Sequence, residues 1–160
     1  MSNVFIARCD SEHLDRTVRS DVDLSEHEDL PEALSGAETA RFLGVPEGTI
    51  TQRNFEKMET GDLVLFYDDG TYVGTGWVET TFEDDEGWAS AAFWDGEPFP
   101  SVYTISEFEE VSVPKARVNA IFGYNAGYTP QDLFRVADDR VERSPEAIKL
   151  ALRRYTERND

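Results

Sequence analysis

The side chains here best suited to bind something are aromatic rather than ionic. Trp88 and Trp94 lie six positions apart. They follow the stretch Gly61-Asp62-Leu63-Val64-Leu65-Phe66-Tyr67-Asp68-Asp69-Gly70-Thr71-Tyr72-Val73-Gly74-Thr75-Gly76-Trp77-Val78, which reads as a β-hairpin. In an extended strand, even spacing puts both indoles on one face. Indoles at the mouth of a small barrel suit stacking on a flat ligand, and a nucleobase is the commonest such ligand. The same spacing also suits core packing. Trp77, in the second hairpin strand, suits a core as well as a ligand wall.

Little else points to chemistry. His13 and His27 are the only histidines, and their acidic, polar surroundings read as surface. No His-x-x-x-His, Cys-His or Gly-x-Ser-x-Gly arrangement occurs, nor a Walker-type phosphate loop. Gly74-Thr75-Gly76 lacks the third glycine and the strand–helix setting of a dinucleotide fingerprint, so it is a strand feature. Residues 83–86 read as a solvated acidic turn. With 33 acidic residues, some pair always resembles a catalytic couple, so paired carboxylates discriminate nothing. The expectation is a binding protein and not an enzyme, with no catalytic residue, metal or cofactor.

The composition points the same way. A chain of 160 residues is long enough for one domain with a real core, and we expect residues 1–160 to form one. Its formal charge of −18 would ordinarily argue against a nucleic-acid partner. Yet the acids are dispersed along the chain, and of 15 basic residues only three are lysine. That is the habit of proteins from salt-saturated cytoplasm, where net charge maintains solubility; an acidic mesophilic protein or a DNA mimic is the plainer reading. In molar salt the Debye length is about 3 Å. Counterion release then adds little to affinity, and a nucleic-acid reader would depend on stacking, hydrogen bonds and shape. Cys9 is the one cysteine, expected as a buried, inert thiol. No signal peptide or apolar span is evident, so a cytoplasmic location off the membrane is expected.

The elements that must position these residues follow from pattern. Val4-Phe5-Ile6-Ala7-Arg8-Cys9 reads as a buried strand. Asp10 or Ser11 can cap a short helix with Leu14 and Val18 on one face. Residues 20–36 read as a loop or short-helix excursion, 38–43 as a helix ended by Gly44 and Pro46, and 48–54 as loop. Phe55 and Met58 fit one turn before Gly61. Residues 62–67 and 72–82 pair across Asp68-Asp69-Gly70-Thr71. Residues 88–94, 101–105 and 108–113 read as further strands. Pro114 can open a short helix, 123–131 is loop, and Ser144-Pro145-Glu146 starts a helix over about 144–158 with Ile148, Leu152 and Tyr155 as its stripe. The fold class is α+β: a small curved, mostly antiparallel barrel or sheet with peripheral helices.

In order and spacing, these motifs resemble the YTH and EVE domains of the PUA-like superfamily over about residues 3–136. Val4-Phe5-Ile6-Ala7-Arg8, followed by the segment from Ser11 to Arg19, resembles the opening strand and helix of YTH domains. Arg53-Asn54 resembles the asparagine before their central strands. Gly61-Asp62-Leu63-Val64-Leu65-Phe66-Tyr67 is similar to the Gly-Asp-x-Val-x-Phe-Tyr signature of EVE domains, and Tyr72 to Val78 to the strand after it. Trp88, Trp94 and Asp95-Gly96-Glu97-Pro98-Phe99 resemble the segment carrying base-stacking tryptophans. The stretches Phe99 to Tyr103, Val113-Pro114 and Gly123-Tyr124 are similar to YTH-like modules that open archaeal modification-dependent restriction proteins of McrBC type.

The resemblance implies a reader that takes a flipped, modified base into an aromatic pocket. The first expectation is N6-methyladenine in DNA, with 5-methylcytosine behind it. Methylated RNA or tRNA is an alternative, as is an acidic protein-interaction module. Trp88 and Trp94 would stack on the base, and Asn54 would bond its edge beside the backbone of residues 20–22. Arg8, Arg19 and Arg53 are candidates for phosphate contacts. Where YTH domains carry another cage tryptophan, this chain has about Asp23, so a wall must come from elsewhere, with Trp77, Tyr67 or Phe42 as candidates. A sensor of this kind would work with a partner or fused NTPase and nuclease.

Overall fold

The computed structural model describes residues 2–159. Eight strands and five helices alternate along the chain: β1 (Val4–Arg8), α1 (Ser11–Thr17), β2 (Val22–Asp23), β3 (Thr39–Ala40), β4 (Phe42–Val45), α2 (Thr49–Glu56), β5 (Leu63–Asp68), β6 (Thr71–Glu83), α3 (Trp88–Phe93), β7 (Ser101–Pro114), α4 (Lys115–Phe122), β8 (Leu133–Arg135) and α5 (Pro145–Arg158). Six strands form one curled sheet in the order β4-β7-β6-β5-β1-β8. Only the β1–β5 pair is parallel. The architecture is the expected α+β, mostly antiparallel, PUA-like half-barrel with peripheral helices.

Strand alternation sorts the apolar side chains between two faces. Phe5, Ala7, Val64 and Phe66 turn toward α1 and α2, meeting Leu14, Val18, Phe55 and Met58. Val4, Ile6, Leu63 and Leu65 turn the other way, toward Val118 and Phe122 of α4 and Ile148 and Leu152 of α5. The β5–β6 turn places Asp69 and Gly70 at φ 45° and 88°, the left-handed pair that a two-residue hairpin requires. The Gly70 N–H donates to Tyr67 Oη at 2.9 Å and closes that turn. Ser144 caps α5 by accepting the Ala147 N–H, with Pro145 in the first turn, as its sequence signature implies.

Several segments differ from expectation. Residues 38–43 form β3 and the start of β4, not a helix; β4 pairs with β7 and drives Phe42 and Leu43 into different cores. Of residues 48–54, expected as loop, Gly48 caps α2 and 49–54 lie within it, because Thr51 and Phe55, one turn apart, bury one face. Residues 101–113 form one long strand, interrupted by a bulge where Glu107 takes φ 51°. The stretch carrying two indoles is the helix α3, not a strand. Asp84 decides that outcome: its carboxylate accepts the N–H groups of Trp88 (3.0 Å) and Ala89 (2.8 Å). The supposedly solvated turn at 83–86 is therefore a buried helix anchor in part, with Asp84 at 5% exposure.

Candidate functional site

A concavity of about 220 Å3 opens where β1 ends and α1 begins. Arg8, Cys9, Asp10 and His13 line one side, and Leu43, Gly44 and Pro46 at the end of β4 line another. Trp94, Glu97 and Phe99, from the segment after α3, face them, and Asp132 stands just before β8. Clefts for drug-sized ligands run ~300–1,000 Å3, so this one suits a smaller ligand on the scale of one ring system.

Its aromatic wall is built of three rings set edge to face. The His13 ring lies 6.4 Å from Trp94 and 5.3 Å from Phe99, and Trp94 and Phe99 are 5.3 Å apart, all at 82–89°. Such T-shaped contacts satisfy the ring quadrupoles and favour a fixed geometry. Gly44 makes that packing possible. A Cβ on it would fall onto the Phe99 side chain and within 2.9 Å of Trp94 Cζ3. Arg16 locks the segment to α1 by donating to the Phe93 carbonyl (2.7 Å) and to Asp95 (3.2 Å). The turn after Trp94 runs through Asp95 and Gly96, both in left-handed backbone at φ 53° and 83°.

The polar lining is acidic with one cation. His13 Nδ1 lies 3.8 Å from Asp10, and its Nε2 lies 3.8 Å from Glu97, so the ring is held between two carboxylates. Arg8 is exposed at the mouth, its backbone N–H bonded to the Asp132 carbonyl at 2.7 Å. The Cys9 thiol donates to the Tyr67 carbonyl at 3.8 Å. Burial, then the charges of Asp68 and Asp10, push its pKa well above the ordinary thiol range. Cys9 is therefore a neutral, unreactive group, half-buried where full burial was expected. Carboxylates at a pocket wall accept hydrogen bonds from exocyclic amino groups such as cytosine N4, while flat rings pack against the body of a base.

The structure spreads the residues named from sequence over several places. Trp94 reaches the concavity but is itself 1% exposed, and its Nε1 has no hydrogen-bond partner among the described residues. Trp88 does not line the concavity. It packs on Phe42, Phe93 and His27, and its Nε1 donates to the Glu28 carbonyl at 3.2 Å. Both indoles flank the buried Phe42, at 6.1 and 6.0 Å, instead of sharing one strand face. Tyr67 is buried under the C-terminal helices. Trp77 lines a separate groove on that side with Phe108, Glu146 and Lys149. Asn54 ties α2 to β8 by donating to the Leu133 carbonyl at 3.0 Å. Arg53 is exposed on α2, while Arg19 pairs with Asp15 and with Glu110 (3.3 Å). Asp23 caps a short turn by accepting from Ser25, and residues 20–22 stay clear of the concavity.

Sequence reading missed His13, Phe99 and Asp132. Both histidines were read as surface residues, yet the His13 side chain is only 14% exposed and both rings pack on aromatics. A signal for His13 was available: it sits one position before the inward-facing Leu14, beside the end of a buried strand. Phe99 lies five residues after Trp94 in the segment that resembles the base-stacking one, which is its signal, whereas Asp132 carries none, since only the tertiary fold brings it to β1.

Together, the curled six-stranded sheet and the small concavity at the end of β1 give a PUA-like fold with a ligand-sized pocket. In three dimensions the chain is similar to the N-terminal domain of McrB from Thermococcus gammatolerans, solved bound to 5-methylcytosine DNA. The two share a TM-score of 0.72 at 22% identity, over 94% of this chain and 99% of that one. An ASCH protein from Zymomonas mobilis is more distant, at TM-score 0.47 and 11% identity over 92% of this chain and 93% of that one. No protein-family model matches the sequence, and no curated protein matches it. Among the described residues, no helix is long and apolar enough to cross a membrane.

Proposed function

We propose that this chain is a reader of modified DNA that receives a flipped base in the concavity between His13, Trp94 and Phe99. The observation carrying this reading is the concavity itself: three mutually perpendicular rings in one lining with Asp10, Glu97 and Asp132, around a single-base-sized space. The carboxylates select a base with an exocyclic amine, cytosine or adenine. The fold shared with a domain solved bound to 5-methylcytosine DNA supports the same reading. It also puts 5-methylcytosine ahead of N6-methyladenine as the mark to test first, reversing the order suggested by the sequence resemblance.

In this reading His13 and Phe99 take the place of the cage tryptophan that the YTH pattern puts near Asp23. Trp94 is the fixed back wall, and Trp88 supports it through Phe42. Arg8 and Arg53 contact phosphates, whereas Arg19 is committed to its carboxylate partners. Flipping costs a few kcal/mol, and stacking restores about 1–3 kcal/mol of it. A buried methyl adds about 0.8 kcal/mol, roughly fourfold in affinity, so discrimination needs the amine contact as well. The chain acts without catalysis of its own, as the sensor for a separate or fused NTPase and nuclease. Its acidic, lysine-poor surface suits work in concentrated salt inside the cell.

The test is a titration in molar potassium chloride with matched fluorescent duplexes: unmodified, 5-methylated on cytosine, and N6-methylated on adenine. Preference for a methylated duplex supports the reader. Equal affinity for all three removes it, and preference for methylated RNA of the same sequence redirects it.

A further inference from the structure

Among the described residues, two large apolar side chains are exposed: Tyr128 at 37% and Ile50 at 74%. Tyr128 stacks on Tyr124 at 4.5 Å. Ile50 stands in solvent at the first turn of α2, four positions after Pro46, which is part of the pocket wall. The inward side of α2 is already committed. Thr51 and Phe55 are buried, Gln52 bonds to Ser101 and Glu83, and Asn54 bonds to the Leu133 carbonyl. Ile50, Arg53 and Lys57 follow at helical spacing on the opposite side, and all three are exposed. Among the described residues neither Arg53 nor Lys57 has a carboxylate within ion-pair distance, although acids outnumber bases 33 to 15. An uncovered apolar tip followed by two cations without a carboxylate partner among the described residues, four positions from Pro46 of the pocket wall, is complementary to a nucleic-acid duplex.

We infer that Ile50 is a wedge that enters the base stack where the flipped base has left it, with Arg53 and Lys57 on the flanking phosphates. This rests on the base-reader reading and adds the device that holds the duplex open. A flipped base leaves an unstacked step, and proteins that distort DNA fill such steps with Ile, Leu, Met or Phe side chains. Ile50 is 74% exposed, so its substitution disturbs the fold little and probes binding largely apart from stability.

The experiment uses the whole chain as wild type, Ile50→Ala and Ile50→Leu. The probes are a fluorescent duplex carrying the preferred methylated base and the corresponding methylated single strand, which needs no flipping. Ile50→Ala is expected to weaken duplex binding about tenfold and single-strand binding less than about twofold, with Ile50→Leu close to wild type. Equal duplex affinity for wild type and Ile50→Ala overturns the wedge and leaves the reader standing, and so does an equal loss on both probes. Failure of the wild type to prefer any methylated probe removes the reader, and the wedge with it.

Discussion

The two faces of the sheet are built from different materials. Under α4 and α5 the core is mainly aliphatic, with Val4, Ile6, Leu63, Leu65, Val118, Ile148 and Leu152 packed across regular elements. Around the concavity the material is aromatic, acidic and glycine-dependent: His13, Trp94 and Phe99 meet over Gly44, and Asp84 anchors the helix that delivers Trp94. Aliphatic packing tolerates small rearrangements, whereas edge-to-face rings over a glycine allow few. One face serves stability, and the other holds a shape.

That contrast can be broken first at Trp94. Trp94→Ala removes the largest fully buried side chain and should cost about 3–5 kcal/mol by urea denaturation, along with all DNA preference. Leu152→Ala on the other face should cost about 2–5 kcal/mol while the folded fraction keeps its affinity. Gly44→Ala sharpens the distinction. The new methyl collides with Phe99 and Trp94, so about 1–3 kcal/mol of stability should be lost, with a larger proportional loss of binding. His13→Ala gives up two edge-to-face ring contacts but only long ion-pair contacts, so about 1–3 kcal/mol of stability should be lost, while the folded fraction binds the methylated duplex about tenfold more weakly.

The smallest effect belongs to the far face. Partial burial works to raise the Glu109 pKa, but hydrogen bonds from Arg153 and Lys149 and their positive charge outweigh it and hold the carboxyl below its usual value. A carboxylate depressed in the folded state stabilises above its unfolded pKa and loses that contribution as pH falls through the folded one. Glu109→Gln should therefore destabilise by less than about 1 kcal/mol at neutral pH. The difference from wild type should vanish in acid and shrink in molar salt, as thermal melts across pH would record.

The same contrast explains what the sequence made legible. The β5–β6 hairpin, β1 and α5 are specified by neighbours in the chain: Asp69-Gly70 in the turn, Ser144-Pro145 at the cap, and Ile148 and Leu152 at helical spacing. The pocket side depends on distant partners. Residues 88–94 read as a strand because an even spacing puts their indoles on one face, yet 88–93 are helical because Asp84 holds the first turn. Residues 42–45 become a strand because β7 offers an edge. Trp94 was identified as a site residue from its type and neighbourhood. Phe99 shares its segment, but His13 and Asp132 come from distant parts of the chain, so no local pattern joins them to it.

The most direct test follows the three indole N–H signals by NMR during titration with a 5-methylcytosine duplex. Single Trp→Phe variants assign the peaks. We expect the Trp94 signal to shift most, the Trp88 signal to follow weakly through Phe42, and the Trp77 signal in its separate groove to stay in place. A duplex that binds while moving Trp77 and leaving Trp94 unchanged would contradict the account.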